Sequence, residues 1–336
     1  MSDAEYWATR IGLSQPGLID PEQDDGWERG RADIAHIERE GLPRDPRDDI
    51  DTASLRQRFP HLVGVTVEEI EFLSPHGALP AKVYQSPETT PTRDSGFVWI
   101  HGGGWIAGDL EGPEAHWISM ELAARGLPVV SIEYHKAVHG RTGDVLSDDV
   151  LAGWLYARDR FAADGLAPDA IHLGGGSAGA ALAAGLSLRL RDERRPLPAS
   201  VVLIYPLVHA NLPPLGVDIL TAVADVPKEA LLTPGQLDAL IHQVRGDDGL
   251  GGRYVYAGDA EYLADQPPHL IVNAERDPLR ASGELYGWQL ARAGVPNTTE
   301  CQSGILHGHL NHPGDPDAVA TVDRILSWIT DQRRPS

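Results

Sequence analysis

Residues 171–183 read IHLGGGSAGAALA: a short apolar run, three glycines, a serine, a fourth glycine, then an alanine-rich stretch. A glycine-rich turn between a strand and a helix has two quite different uses. Gly174, Gly176 and Gly179 keep the G-x-G-x-x-G spacing of a loop that cradles a dinucleotide on its backbone N–H groups. Gly175, Ser177 and Gly179 keep G-x-S-x-G, in which a sharp bend holds the serine up as a nucleophile.

The dinucleotide reading requires a second strand ending in an acid about 20 residues on, to hold the ribose. Asp192 and Glu193 stand at that distance, but within RLRDERRPLP, a charged helix end, and the next strand, SVVLIYP, ends without an acid. The nucleophile reading requires partners elsewhere: an imidazole to take the serine proton, an acid to orient it, and N–H donors for the developing oxyanion. By itself G-x-S-x-G is weak, since a glycine-rich helix start capped by serine looks the same.

Working outward, short apolar runs alternate with helix-length segments. VTVEEIEF and ALPAKVYQS read as two strands joined by a short connection, and GFVWIHG, LPVVSIEY, AIHLGGG, ASVVLIYP, HLIVNAE and NTTECQSG as six more. Helices are expected over 113–125, 144–163, 177–192, 281–293 and 315–330. This alternation predicts an α/β protein with a mostly parallel eight-stranded sheet flanked by helices. Expected units are N-terminal cap helices over 1–55 (near Ala4–Ile11 and Trp27–Glu40), a core over 56–207, a cap insertion over 208–265, and the rest of the core over 266–336.

The partners of the serine stand in that frame in a consistent order. His101-Gly102-Gly103-Gly104-Trp105 follows the third strand, and its glycines let the loop turn N–H groups toward one point beside Ser177. The N–H groups of Gly102, Gly103 and Ala178 are the expected oxyanion hole. Asp277 follows the seventh strand in AERDPLR, and His307 follows the eighth in GILHGHLNH. All emerge at the carboxyl edge of a parallel sheet, where open α/β folds bind ligands.

HGGGW, GGSAGA, DPLR and HGH together resemble the hormone-sensitive-lipase-like family of α/β-hydrolase esterases, from about Val65 to the C-terminus. The resemblance implies a Ser177–Asp277–His307 triad hydrolysing short-to-medium acyl esters, with no cofactor, under a helical cap. The chain departs from that pattern in several places. Gly176 stands where the family carries aspartate before the serine, Ala180 replaces the last glycine, and His309 replaces a phenylalanine. The family's Y-R-L-A-P-E reads Tyr134-His135-Lys136-Ala137-Val138-His139. Arylformamidase-like hydrolases share H-G-G-x-W and G-x-S-A-G-A, so an activated amide stays open as substrate. A non-catalytic receptor on the same scaffold also stays open.

Other residues have plainer readings. His307, His309 and His312 could share a metal ion, but the triad already employs His307 and Asp277, and no metal is expected. His309 and Trp105 are expected in the substrate pocket, with Trp105 equally readable as core packing, and His312 at the surface. His101 is expected to brace the oxyanion loop and Asp109 to fix its turn. Asp148–Asp149 read as a solvated helix start, Asp315 and Asp317 as helix-start residues, and Tyr205-Pro206 as the exit into the cap.

Bulk properties narrow the class. The formal charge is −21, which argues against nucleic acid or an anionic membrane as partner, since both need a cationic face. Cys301 is the only cysteine, so no internal disulfide or cysteine zinc cluster forms. No run of about 18 apolar residues is present, and MSDAEYWATR lacks the basic and apolar regions of a secretory signal. A cytoplasmic enzyme for a small ester is the expectation. The resemblance leaves a homodimer paired through edge strands open.

Overall fold

A computed structural model describes residues 25–41, 50–86, 94–227 and 230–332. The expected helix at Ala4–Ile11 lies outside them. Eight strands are present: β1 (Thr66–Ser74), β2 (Gly77–Gln85), β3 (Gly96–Ile100), β4 (Val129–Ile132), β5 (Ile171–Gly176), β6 (Val201–Ile204), β7 (His269–Arg276) and β8 (Asn297–Leu306). They form one sheet in the order β1-β2-β4-β3-β5-β6-β7-β8. β1 and β2 are an antiparallel hairpin closing at Ser74 and Gly77, and β2 runs antiparallel to β4. The other neighbours are parallel, so all six strands from β3 to β8 end on one edge.

The central strands are apolar on both sides because helices cover both faces. On β3, Phe97 and Trp99 point into one core and Val98 and Ile100 into the other; Val202 and Val201 divide in the same way on β6. One face is covered by α3 (Pro113–Ala124) and α9 (Pro316–Asp331), through Trp117, Ile118, Leu122, Val322 and Ile325. The other is covered by α4 (Gly143–Ala163), α5 (Ala178–Asp192) and α8 (Arg280–Arg292), through Trp154, Phe161, Leu182 and Leu290. Helix bounds fall within a residue or two of those expected. Asp315 is the N-cap residue of α9 and Asp317 lies in its first turn, although the Asp315 side chain makes no capping bond.

The interval 208–265 contains no strand among its described residues, and holds α6 (Val217–Val223) and α7 (Pro234–Arg245). Thr233 and Gln236 close a capping box on α7, with Pro234 at the first position. α7 packs against α1 (Gly26–Glu40) where a Cβ on Gly30 would come within 2.8 Å of Ala239 Cβ. Arg31 bonds Gln243 at 3.3 Å, and Trp27 meets the His242 ring edge-on at 5.6 Å. A short helix, α2 (Thr52–Arg58), is capped by the Asp51 side chain on Ser54 N–H at 2.6 Å. No described helix is long and apolar enough to cross a membrane.

The Asp148–Asp149 pair differs from its solvated reading. It lies inside α4, which begins at Gly143, and Asp149 is fully buried. Asp149 accepts from the His135 N–H and Nδ1, both at 2.9 Å, and from the Ser74 hydroxyl. Asp148 pairs with Arg189 at 2.8 Å and His76 at 3.0 Å. A buried carboxylate must find such donors, and here they tie the β1–β2 hairpin and the segment after β4 to α4.

Candidate active site

Ser177 stands at the bend between β5 and α5 with φ 51° and ψ −118°, a backbone state costly for any residue but glycine. The bend is pinned by the Ser177 N–H donating to Ile204 O on β6 at 2.9 Å. Its flanks must be small. A Cβ on Gly175 would lie 2.5 Å from the Gly179 carbonyl carbon, and one on Gly179 would lie 2.1 Å from Ile100 O. G-x-S-x-G spacing is therefore required by close approach of strand, turn and helix.

The sheet brings the expected partners to this bend. His307, directly after β8, has Nε2 2.9 Å from Ser177 Oγ. Its Nδ1 lies 2.7 Å from Asp277 Oδ2, directly after β7. Asp277 is fully buried and accepts a second bond from Leu279 N–H at 2.9 Å. An ionised carboxylate only accepts, so the Nδ1–H tautomer is assigned, leaving Nε2 to receive the serine hydroxyl. Burial opposes the charged ring of His307, but the Asp277 charge and hydrogen bond, with a contribution from Glu114, outweigh it and lift its pKa above the usual 6.5.

The glycine loop after β3 is braced from beneath. His101 Nδ1 bonds Gly102 O at 2.8 Å and Nε2 bonds Glu133 at 2.9 Å. Its ring stacks on Tyr134 at 4.7 Å. Burial alone would raise the Glu133 pKa, yet His101 and Lys136 hold it down at about 2. The Tyr134 hydroxyl donates to His101 O and Gly102 O at 3.0 and 3.1 Å. Asp109 Oδ1 accepts from the Glu111 and Gly112 N–H groups, fixing the next turn.

One expectation for this loop is corrected. The Gly102 N–H donates to Glu114 Oε1 at 3.1 Å, so it is already spent on a carboxylate. Gly103, Gly104 and Ala178 line the cavity beside Ser177, whereas Gly102 does not. Gly103 and Gly104 have φ of 109° and 61°, and a Cβ on Gly103 would be 2.2 Å from Ala107 O.

The cavity over Ser177 measures about 460 Å³. Its floor holds Ser177, His307, Glu114 and Asn311, its walls Trp105, Leu207 and Leu279, and its roof Ile37 of α1 with Leu237 and Leu240 of α7. Trp105 both lines the cavity and packs in the core, 1% exposed and edge-on to Tyr256. His309 is corrected: it is not a cavity residue, but lies buried behind it with Nε2 on Thr321 Oγ1 at 2.8 Å. Burial lowers its pKa to about 4. His312 is exposed. Among the described residues, no group of three or more His, Cys, Asp or Glu side chains is gathered as a metal site.

Two residues at this centre were missed. Tyr205, expected to mark a chain exit, has φ 39° and its ring centre 4.8 Å from that of His307. Glu114, in the first turn of α3, reaches both Gly102 N–H and Asn311 Nδ2. Its sequence signal was an acid just beyond the glycine loop, in a helix buried from residue 113 to residue 123. A carboxylate in such a helix has to be paired.

Comparison with known proteins agrees with the fold and with esterases as relatives. A family model described as alpha/beta hydrolase fold matches residues 97–311. Among curated proteins, the esterase LipI of Mycobacterium tuberculosis is 29% identical over 77% of this chain and 80% of its own length. An arylesterase of Saccharolobus solfataricus is 30% identical over 70% of this chain and 74% of its own. Among solved structures, a hyperthermophilic esterase from the archaeon Pyrobaculum calidifontis superposes with a TM-score of 0.70 at 27% identity, covering 86% of this chain and 99% of that one.

Proposed function

Since the chain belongs to the alpha/beta hydrolase fold family, on its hormone-sensitive-lipase-like branch, we propose that it is a serine hydrolase cleaving carboxylic esters of short-to-medium acyl chain. The observation that carries this reading is the continuous hydrogen-bonded chain from Ser177 Oγ through His307 to Asp277 at the floor of a largely apolar cavity. The similar proteins named esterase support the choice of ester over other acyl compounds.

In this scheme His307 Nε2 takes the Ser177 proton as Oγ attacks the ester carbonyl carbon, and the carbonyl π pair moves onto oxygen. The oxyanion is held by the N–H groups of Gly103, Gly104 and Ala178, Gly104 replacing Gly102 because the latter is bonded to Glu114. Asp277 stabilises the imidazolium, which returns its proton to the departing alkoxide as the C–O bond breaks. Water, deprotonated by His307, then attacks the acyl-enzyme and releases the acid with Ser177 restored. α1 and the 208–265 insertion are read as two parts of one cap, with the 460 Å³ beneath them as the acyl and alcohol space.

Replacing Ser177 by Ala tests the scheme. Turnover of p-nitrophenyl acetate should fall by roughly 10⁶, circular dichroism should stay unchanged, and a fluorophosphonate probe should label the parent protein and not the variant. Parent-level turnover by Ser177→Ala would refute it. Failure of the parent to react with the probe would favour a receptor on the same scaffold.

A further inference from the structure

We propose that Glu114 is a positioning residue: its carboxylate fills the space a side chain at position 176 would take, and ties the oxyanion loop to the histidine loop behind Ser177. This rests on the hydrolase reading above and extends it to a residue outside the triad.

The geometry is specific. Glu114 Oε1 accepts the Gly102 N–H at 3.1 Å, and Oε2 accepts Asn311 Nδ2 at 3.2 Å. Asn311 follows His307 on the same loop, and Gly102 opens the loop that carries Gly103 and Gly104. The backbone of Glu114 is itself held, because Trp99 Nε1 donates to its carbonyl at 2.8 Å. One carboxylate thus joins the segments after β3 and β8, which share no strand pairing.

Position 176 explains why the carboxylate can be there. A Cβ on Gly176 would lie 1.9 Å from Glu114 Oε1, which no real pair of atoms tolerates. The resemblance places an aspartate at this position; here the residue is glycine, and a carboxylate enters the same space from α3. Gly176 and Glu114 form a matched pair: any side chain at 176 would force the Glu114 carboxylate out of its present place.

Mere filling would not call for an acid. Glu114 is 7% exposed, and desolvating a carboxylate carries a cost that two neutral donors only partly offset. An apolar side chain of similar size would fill the space at less cost. Burial raises the Glu114 pKa above the usual carboxylate range, against the pull of His307, His101 and the bonds from Asn311 and Gly102. What the acid adds, once ionised, is a fixed acceptor for Gly102, which aligns the following glycines, and a negative charge facing His307. Of the other groups facing His307, Asp277 holds its Nδ1 by a hydrogen bond, while His309 and Tyr205 are buried and neutral near pH 7. Glu114 therefore seconds Asp277 when the imidazolium forms.

The experiment is steady-state hydrolysis of p-nitrophenyl acetate across pH by Glu114→Gln, Glu114→Ala, Gly176→Asp and the double variant Glu114→Ala/Gly176→Asp, with circular dichroism as the fold control. Glu114→Ala should lose roughly 10–100-fold in kcat with little change in KM, as expected when a reacting centre is misplaced. Glu114→Gln keeps an acceptor for Gly102 but not the charge, so its plateau kcat should stay within about threefold while its acid limb moves to lower pH. Gly176→Asp should impair the parent, and the double variant should recover about tenfold over Glu114→Ala. Parent-like kcat in Glu114→Ala, an unmoved acid limb in Glu114→Gln, or no recovery in the double variant would each overturn the proposal. If Glu114→Ala does not fold, the Glu114→Gln profile decides. Fluorophosphonate labelling of the parent at Ser177 is read separately, so failure of the nucleophile assignment is distinguishable from failure of this one.

Discussion

Asp277 and His307 follow neighbouring parallel strands and meet through a hydrogen bond of 2.7 Å, with the carboxylate fully buried and the ring only 16% exposed. The acid can thus set both the tautomer and the charge of the ring. In Asp277→Asn the amide keeps the shape but no longer enforces Nδ1–H, so kcat should fall by on the order of 10⁴ while the fold is retained. Active-site titration alongside circular dichroism checks this. A loss below tenfold would remove Asp277 from the scheme.

The same pair fixes a pH dependence. In the proposed scheme the raised pKa of His307 belongs to the group that must be neutral to act as base. The kcat/KM profile should therefore decline on its acid side with a midpoint above 6.5, the usual imidazole value. In Asp277→Asn the residual activity should show that midpoint displaced downward. A parent midpoint below 6.5 would contradict the assignment.

Gly103→Ala tests the revised oxyanion loop. Its φ of 109° disfavours any side chain, and the new Cβ would strike Ala107 O at 2.2 Å. Movement of this loop should cost roughly 10²–10³ in kcat, the effect of losing one oxyanion donor. Gly104→Ala meets side chains and no backbone, the nearest being Leu240 at 3.3 Å with Ile106 at 4.0 Å, although its φ of 61° still carries strain. It should be the milder of the two.

Tyr134→Phe removes the hydroxyl that holds two carbonyls of the loop from below. About 1 kcal/mol of stability should be lost, the usual net value of a buried hydrogen bond. Urea unfolding reads this loss, and a several-fold lower kcat should accompany it.

Stability should also fall with acid before most carboxylates titrate. His116, His269 and His309 are buried, chiefly neutral rings, each with its pKa lowered to about 4 by burial. The unfolded chain binds protons near 6.5 that these folded rings refuse, so their contribution is present above 6.5 and is lost as pH falls toward 4. Each ring is worth up to about 3 kcal/mol over that window. His307 works in the opposite sense, since it binds its proton more readily when folded. Urea midpoints at pH 7, 6 and 5 should fall steadily, and His269→Asn should flatten the slope. A flat profile would count against all three.

Much of this arrangement was legible in the sequence. Strands with both faces apolar, the glycine bend at Ser177 and the order Ser177, Asp277, His307 are local patterns. The parallel sheet converts that order into proximity. What could not be read depends on which way one backbone group or side chain turns. Gly102 and Gly103 look alike in a string of glycines, and only the position of Glu114 separates them. His309 lies two residues from His307, yet packs behind the cavity on Thr321. Asp149 sits in a polar run that suits a helix surface, but it is buried because His135 and Ser74, distant in the chain, converge on it.

The junction of Gly30 with Ala239 places two backbones almost in contact above the reaction centre, with hardly a side chain between them. A larger residue at either position would act as a wedge, altering headroom without touching the groups that break the bond. The contact that sets this headroom and the side chains of the proposed triad therefore lie in separate stretches of the polypeptide, so one can change while the other is kept.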